Sequence, residues 1–125
     1  MKLTCGTDII EIQRIKEAIE NLGEKFLKRV YTQEEIIYCN SHHMAKYQHF
    51  AARFAAKEAV FKALSYQILN KYQIEWTNIE IKNDKQGKPY VVLHEMATNK
   101  IETMDISISH CKTYAVANAV ILFQE

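Results

Sequence analysis

Hydrophobic residues recur with helical spacing in the first half of the chain. Residues 11–22 carry isoleucine and leucine along one face and are followed by Gly23, which predicts a short helix closed by that glycine. Residues 32–35 read Thr-Gln-Glu-Glu, a capping-box pattern, so a second helix is expected from there to about residue 40. The longest helical pattern covers residues 45–70.

Two stripes of side chains lie on opposite sides of that long helix. One stripe is large and apolar, which predicts a buried face. The other consists of alanines, which suit a solvent-exposed face, because alanine is a good helix former, or a face that another element approaches closely. We favour the second interpretation, a central helix packed on both sides. The apolar stripe is Phe50, Phe54, Phe61, Leu64 and Ile68, and the alanines are Ala52, Ala56, Ala59 and Ala63.

Strand patterns occupy the start and the second half of the chain. Residues 2–10 predict a buried strand that ends near Asp8. Residues 74–82 alternate between apolar and polar positions, and residues 83–88 have the composition of a turn. Residues 89–93 are then expected to form the returning strand of a hairpin.

A second hairpin is expected near the C-terminus. Residues 105–110 alternate and residues 114–123 form a long apolar run, while residues 95–103 suit a short helix. Helices come mainly first and strands mainly later, so we predict an α+β fold with the long helix packed against a mainly antiparallel sheet. A chain of 125 residues with one Pro and three Gly has no linker composition, which predicts a single domain over residues 1–125.

Composition excludes several classes of function. The formal net charge is +1, so no global field attracts nucleic acid or membrane, and an acidic partner must meet a local basic patch. Cys5, Cys39 and Cys111 lack the spacing of a disulfide framework or a zinc site and are expected to be reduced. The N-terminus lacks the apolar core of a signal peptide, and no window approaches the roughly 18 apolar residues of a membrane span. We therefore expect a cytoplasmic protein.

Three positions carry residues capable of chemistry, and each also has an ordinary structural interpretation. Asp8 ends an apolar strand, where it either meets a partner or caps the helix that begins at Glu11. Glu58 borders the apolar stripe of the long helix, but Lys62 at i+4 makes a helical ion pair a strong explanation. His110 stands at a strand end before a turn, where a hydrogen-bonded structural histidine is the more common case.

These positions are more informative together, because each lies in one of three sequence blocks, and a fourth, shorter block accompanies them. Residues 6–15, 53–64, 87–90 and 107–110 with 114–115 resemble the signature blocks of holo-[acyl-carrier-protein] synthase, a family of 4′-phosphopantetheinyl transferases. The resemblance extends over nearly the whole chain, in family order and at family length. It implies the family's fold and its activity, which is transfer of 4′-phosphopantetheine from coenzyme A to a serine of an apo acyl carrier protein. The other product is adenosine 3′,5′-bisphosphate, and the pathway served is fatty-acid synthesis.

The resemblance implies a magnesium site. The family positions that match Asp8 and Glu58 bind the metal, and Mg²⁺ favours a few carboxylates together with phosphate oxygens and retained waters. Without a cation, two such carboxylates repel and one tends to take up a proton. The base that removes the proton of the carrier serine is either a metal-bound water or Glu58 itself.

The resemblance also implies a coenzyme A site. Lys62 matches a lysine near the phosphates, where a point charge neutralises the leaving group, and His110 matches a histidine at the coenzyme A site. Arg53 and Ser109 are the expected phosphate contacts, and Glu58, Lys62 and His110 are the expected catalytic residues. In one departure from the family, residues 65–70 contain no glycine where a glycine-rich loop is usual. The helix therefore either runs on there or the loop uses side chains, and no binding residue is assigned to it.

An acidic carrier protein implies a basic docking patch on the first helices. Arg14 matches one family position, and Lys25 and Arg29 match others if one residue is inserted in the preceding turn. Neighbouring glutamates dilute this charge, so a solvent-exposed face of mixed charge is an equally good interpretation. Those glutamates are Glu17, Glu20 and Glu24.

The family assembles as a homotrimer with active sites between neighbouring subunits. This implies that Asp8, Glu58 and Lys62 come from one subunit and some coenzyme A contacts from the next. Two rival functions are also compatible with the sequence. One is a module that binds coenzyme A without transferring its arm, and the other is a metal-dependent hydrolase of nucleotide pyrophosphates.

Overall fold

One long helix occupies the centre of the fold in the computed structural model, which describes residues 1–65 and 74–124. In chain order the elements are β1 (Lys2–Glu11), α1 (Ile12–Leu22), α2 (Glu24–Val30), α3 (Gln33–Asn40), α4 (Lys46–Leu64), β2 (Ile79–Asn83), β3 (Pro89–Leu93), β4 (Ile101–His110) and β5 (Tyr114–Phe123). Helix α4 packs against β1, β4 and β5, and also against β2, α1 and α3. Within these residues, no helix combines the length and the apolar character needed to cross a membrane.

The central helix is buried on both of its sides, which confirms the interpretation of the alanine stripe. All four alanines of that stripe are buried, and Phe50 and Leu64 are buried on the other side. The helix ends at Leu64, with Ser65 at its C-cap. The part of the predicted helix beyond Ser65, including Ile68, lies outside the described residues.

Strand β1 lies directly on the alanine side of α4. Gly6 faces the helix so closely that a Cβ atom at this position would meet the carbonyl oxygen of Ala59 at 2.0 Å. The hydroxyl of Thr4 donates to the carbonyl oxygen of Ala63 over 2.8 Å. The absence of a side chain at Gly6 and the small alanine side chains therefore set the spacing between the strand and the helix.

The expectation that β1 is buried holds for only one of its faces. Leu3 and Ile9 point away from α4 and are 64% and 62% exposed. The reason is that the sheet has a single helix layer: β1, β5 and β4 lie side by side in an antiparallel sheet with α4 on one face. Side chains alternate along a strand, so every second residue of β1 faces away from the core.

Both predicted hairpins are present, and the class is α+β as expected. Strands β2 and β3 pair antiparallel, and Gly87 occupies their turn with a φ of +85°. The Asp84 backbone N–H closes this turn by donating to the carbonyl oxygen of Lys88 over 2.9 Å. Strands β4 and β5 form the second hairpin and belong to the larger sheet.

Two expectations in the second half are wrong. The strand expected from residue 74 begins only at Ile79, because residues Trp76–Asn78 form a 3₁₀ turn. The short helix expected over residues 95–103 is absent, because β4 already begins at Ile101 and pairs with β5. Glu95 in this connection has a φ of +57°, which is incompatible with a right-handed helix.

The first three helices are separated by clear local signals. Helix α1 starts one residue later than predicted and ends at Gly23, whose φ is +59°. Helix α2, between Gly23 and Tyr31, was not expected from the hydrophobic pattern. Helix α3 begins with the predicted capping box: the hydroxyl of Thr32 accepts from the N–H of Glu35, whose carboxylate accepts from the N–H of Thr32.

A buried ion pair joins three elements in the core. The ammonium of Lys57 on α4 donates to the carboxylate of Glu35 on α3, and both side chains are fully buried. The second oxygen of Glu35 accepts from the N–H of Ile81 on β2 over 2.8 Å. Burial lowers the pKa of Lys57, and the charge of Glu35 opposes that shift. This pair holds α3, α4 and β2 together.

Candidate active site

A strand and a helix bring a carboxylate and a lysine into contact at the edge of the core. Asp8 lies on the α4 side of β1, two residues after Gly6, where it pairs with Ala117 of β5. The ammonium of Lys62 on α4 lies 3.3 Å from a carboxylate oxygen of Asp8 and donates to the carbonyl oxygen of Thr7 over 2.9 Å. The Lys62 side chain is 48% exposed, whereas that of Asp8 is 16% exposed. One end of this contact is therefore open to a ligand.

Glu58 lies one helical turn before Lys62 and feels the charge of Asp8. Partial burial raises the pKa of Glu58, the negative charge of Asp8 raises it further, and Lys62 lowers it. Two carboxylates from distant parts of the chain thus lie near each other, and the charge of Asp8 disfavours the charged form of Glu58. A cation between them removes that repulsion.

The donor set fits a magnesium ion that is held by few protein ligands. Among residues 1–65 and 74–124, no group of three or more histidines, cysteines or carboxylates is placed to hold a metal ion. Asp8 and Glu58 are two oxygen donors, and the effect of the Asp8 charge on Glu58, added to that of partial burial, favours a cation there. Mg²⁺ readily completes such a shell with phosphate oxygens and water.

The interpretation of Asp8 as a helix cap is wrong, and the interpretation of Lys62 as the local partner of Glu58 is incomplete. Asp8 does not cap the first helix, because it lies within β1 and Glu11 occupies the cap position of α1. Lys62 meets Asp8, 54 residues away, so it is more than the partner of a local helical pair with Glu58. Both residues are oriented by the packing of β1 on α4.

A pocket of about 240 Å³ opens beside Glu58. Its walls are mainly apolar, with Trp76 stacked on Phe54 at 4.7 Å between ring centroids. Carboxylates stand at its rim, so it offers an apolar surface next to the site of charge. The lining residues are Glu58, Phe61, Ile74, Glu75, Trp76 and Ile79.

Arg53 lies on another side of α4 and is buried. Its guanidinium donates to the side-chain oxygen of Asn83 over 2.5 Å and lies 3.9 Å from the centre of the Tyr38 ring. Its Nε atom is buried without a hydrogen-bond partner. A pocket of about 250 Å³ adjoins this group between α3 and β2. The role of Arg53 as a phosphate contact stays a prediction.

His110 and Ser109 end strand β4 on different sides. The ring of His110 lies edge-on to that of His49 on α4, with 6.0 Å between centroids. Ser109 faces away from α4 and lines a pocket of about 110 Å³ with Ser107 and Asn118. Within the described part of this chain, no hydrogen bond, ion pair or ring contact joins either residue to Asp8, Glu58 or Lys62. The predicted site residues therefore fall into separate groups in one subunit.

The three predicted carrier-binding residues are exposed on the first two helices. Arg14 lies on α1, six residues after Asp8, and Lys25 and Arg29 lie on α2. Glu24 is engaged by Lys28 at 3.8 Å, which reduces the acidic character of this face. The role of these basic residues stays a prediction.

Sequence patterns alone missed two structural contributors to the site. Gly6 lies within a matched block, but only the packing explains it, since the glycine brings Asp8 against α4. His42 and His49 belong to no matched block, yet their rings stack on each other, and the His49 ring also contacts that of His110. The alanine stripe indicates that another element approaches α4 closely, which suits a small residue such as Gly6. No pattern of neighbouring residues in the sequence indicates the histidine stack.

Comparison with known proteins shows the family of this chain. A sequence model of the 4′-phosphopantetheinyl transferase superfamily matches residues 4–119. The chain belongs to this superfamily. A holo-[acyl-carrier-protein] synthase from Ruminiclostridium cellulolyticum is 49% identical over 97% of this chain and 92% of that protein. One from Protochlamydia amoebophila is 48% identical over 96% of this chain and 98% of that protein.

A solved structure extends the similarity to the fold. Holo-[acyl-carrier-protein] synthase from Helicobacter pylori in complex with coenzyme A has a TM-score of 0.82 and 30% identity, covering 94% of this chain and 99% of that one. The phosphopantetheinyl transferase assignment therefore rests on sequence and fold together. The protein is an enzyme, a transferase of the holo-[acyl-carrier-protein] synthase type.

Proposed function

We propose that this chain transfers the 4′-phosphopantetheine arm of coenzyme A to a serine of an apo acyl carrier protein, with Mg²⁺ held by Asp8 and Glu58. Adenosine 3′,5′-bisphosphate is the second product. The observation that carries the proposal is the convergence of Asp8, Glu58 and Lys62 from β1 and α4. Relatives named holo-[acyl-carrier-protein] synthase support the acceptor, and a solved relative in complex with coenzyme A supports the donor.

The reaction is a displacement at phosphorus within a pyrophosphate. The serine oxygen forms a new bond to the phosphorus that bears the pantetheine arm, and the bond to the leaving bisphosphate breaks. Negative charge is spread over the phosphoryl oxygens and the leaving phosphate, so positioning and charge stabilisation supply most of the rate enhancement. A bound Mg²⁺ supplies neutralising charge and aligns these oxygens.

Lys62 and Glu58 then have distinct tasks. The ammonium of Lys62 has three hydrogens, and Thr7 and Asp8 accept two of them, so the third is free to be donated to a phosphate oxygen. The Glu58 carboxylate lies beside Asp8 and Lys62, so it is placed to accept a proton from an oxygen that approaches the phosphates. Among the residues of this chain, Glu58 is the acceptor we assign for the serine proton.

The coenzyme A contacts are assigned to Arg53, Ser109 and His110, with Lys62 at the phosphates. Because Ser109 and His110 make no contact with Asp8 or Glu58 in one subunit, we infer that two subunits complete each site in a homotrimer. The outer face of the sheet supports this inference, since it exposes a patch of large apolar residues such as a subunit interface would cover. That patch is Leu3, Ile9, Val116 and Val120.

Subunit complementation tests this shared site. Glu58→Gln and His110→Ala are purified separately and then mixed under conditions that let subunits exchange. If Glu58 and His110 act across an interface, mixed oligomers contain intact sites and activity returns, although each variant alone is inactive. Activity that stays absent after exchange, verified by mass spectrometry of the mixed oligomers, would place both residues in one subunit and refute the shared site.

Docking of the acidic carrier is assigned to Arg14, Lys25 and Arg29. Three strand residues and three helical residues lead from Asp8 to Arg14, a path of about 15 Å along the backbone. A carrier bound at Arg14 is therefore close to the carboxylates. Exposed basic residues meet an acidic partner mainly by raising the association rate. We place the enzyme in fatty-acid synthesis in the cytoplasm, where Cys5 and Cys39 would remain free, as they are here.

Mass spectrometry of the carrier tests the whole proposal. The protein is incubated with coenzyme A, Mg²⁺ and an apo carrier protein, and the carrier is then weighed. We expect a gain of one phosphopantetheine group, abolished by a chelator and restored by excess Mg²⁺. A carrier of unchanged mass despite coenzyme A binding would indicate a binding module, and cleavage of coenzyme A without carrier would indicate a hydrolase.

A further inference from the structure

Four aromatic rings meet where α3 ends, α4 begins and β4 ends. The rings of His42 and His49 are stacked at 3.8 Å between centroids, with 19° between their planes. Tyr38 stands edge-on to both, at 4.7 Å from His42 and 5.5 Å from His49. On its other side, His49 meets the ring of His110 at 6.0 Å and 65°. His49 is therefore the only one of these histidines in contact with the other two, within the described residues.

His49 is uncharged at neutral pH. Partial burial lowers its pKa to about 4, and the nearby charges of His42, Arg53 and His110 act in the same direction. A flat stack at 3.8 Å suits neutral rings, because two imidazolium ions at this distance would repel each other. Of the groups that face it, Tyr38 is aromatic and the others are potential cations. His49 thus behaves here as an aromatic ring rather than as a charge.

This ring group touches two residues assigned to the coenzyme A site. The Arg53 guanidinium lies over Tyr38 at 3.9 Å, and His110 rests against His49. Arg53 is also held by Asn83, whereas His110 is exposed and ends its strand. Within the described residues, His49 is the aromatic ring that contacts His110.

We propose that His49 is a positioning residue for His110: its ring, stacked on His42, holds the His110 imidazole in the orientation in which it contacts coenzyme A. This inference rests on the proposed function, because it takes His110 as a coenzyme A contact. His49 itself touches no substrate and acts only through His110.

Two substitutions separate ring packing from charge. His49→Ala removes the packing surface, so the KM for coenzyme A should rise about 3- to 10-fold, the range expected for loss of one aromatic contact, while the KM for the carrier stays unchanged. His49→Phe keeps an uncharged flat ring and should stay within about 2-fold of the wild type. His43→Asn is the matched control, because His43 lies outside the stack and asparagine tolerates its φ of +47°.

Three measurements decide the matter: steady-state kinetics with each substrate varied, calorimetric binding of coenzyme A without carrier, and an NMR titration of the histidine rings. His49 should remain neutral down to about pH 5 in the titration. An unchanged coenzyme A KM in a folded His49→Ala, a loss in His49→Phe as large as in His49→Ala, or a His49 ring that titrates near pH 6.5 would each overturn the inference. A wild-type protein that neither binds coenzyme A nor modifies the carrier would overturn the proposed function, and this inference with it.

Discussion

Helix α4 carries two lysines that meet carboxylates from distant parts of the chain, and the two pairs differ in burial. Lys57 and Glu35 are fully buried, and Glu35 also accepts from the N–H groups of Thr32 and Ile81. Lys62 is about half exposed, and its contact with Asp8 leaves donor capacity unused. The comparison teaches that a fully buried pair acts as structure, whereas a pair whose lysine is half exposed leaves that ammonium accessible to a ligand.

The two sites also differ in their balance of positive and negative charges. At the buried site one cation meets one anion, so the charges balance within the protein. At the open site one lysine faces two carboxylates, and the pKa of Glu58 is raised by partial burial and further by the negative charge of Asp8. Such an excess of negative charge near the protein surface is typical of a site that binds a cation.

Removing the lysine of the buried pair should have the largest effect on stability. Lys57→Met leaves the Glu35 charge buried without its counter-ion and should lower the free energy of unfolding by about 3–5 kcal/mol. Urea denaturation measures this change, and adding Glu35→Gln to Lys57→Met should recover part of the loss. The control is Lys62→Met, which should cost less than about 1 kcal/mol while impairing transfer. Equal destabilisation by both methionine variants would contradict the comparison.

Glu58→Gln should separate activity from stability. Loss of the ligand charge is expected to reduce kcat by about 100-fold or more. A raised pKa means that the folded state binds the Glu58 proton more tightly than the unfolded state does, so ionised Glu58 destabilises the fold at neutral pH. The variant should therefore have an equal or higher Tm at pH 7, and the difference should shrink as pH falls and Glu58 becomes protonated.

Calorimetric Tm values from pH 4 to pH 8, with and without Mg²⁺, measure this dependence. Mg²⁺ should raise the Tm of the wild type and leave that of Glu58→Gln nearly unchanged. A variant with normal turnover would show that Glu58 is not a metal ligand, and a Tm that falls on substitution would show that its charge is stabilising.

Gly6→Ala tests whether the open site depends on close packing of β1 on α4. The added methyl would meet the Ala59 carbonyl oxygen, so the strand must shift, at a cost of about 1–3 kcal/mol. Asp8 lies two residues further along the same face and should move away from Lys62, which lowers activity as well. Gly87→Asn is the control, because asparagine tolerates a φ of +85° in an exposed turn. Full activity in Gly6→Ala would show that this spacing does not matter.

Arg14→Ala should have the smallest effect of these substitutions. Its effect should be limited to binding of the carrier protein. We expect the KM for the carrier to rise by a few fold at low salt, with little change at high salt and none in coenzyme A binding. Lys28→Ala is the matched control, because Lys28 is already engaged by Glu24 at 3.8 Å. A similar rise in both variants, or an effect on coenzyme A binding, would contradict a specific docking role for Arg14.

Local patterns predicted much of the fold because the signals for helix ends and turns are contained in a few neighbouring residues. The Thr32 capping box, the Gly23 helix end and the Gly87 turn lie where the sequence indicates them. The short helix over residues 95–103 failed because strand pairing with β5 outweighs a weak helical pattern. Within the site, the resemblance singled out Asp8, Glu58 and Lys62, and the structure brings these three together.

The sequence by itself determined the elements and the kinds of residue at the site, since periodicity, caps and turn residues act over only a few positions along the chain. Only the tertiary structure decided which lysine of α4 is buried and that Lys62 meets Asp8 rather than Glu58 alone. Those outcomes depend on where β1 and α3 come to lie against α4. Partners 22 and 54 residues apart in the chain meet only when the core closes around Gly6 and the alanine stripe.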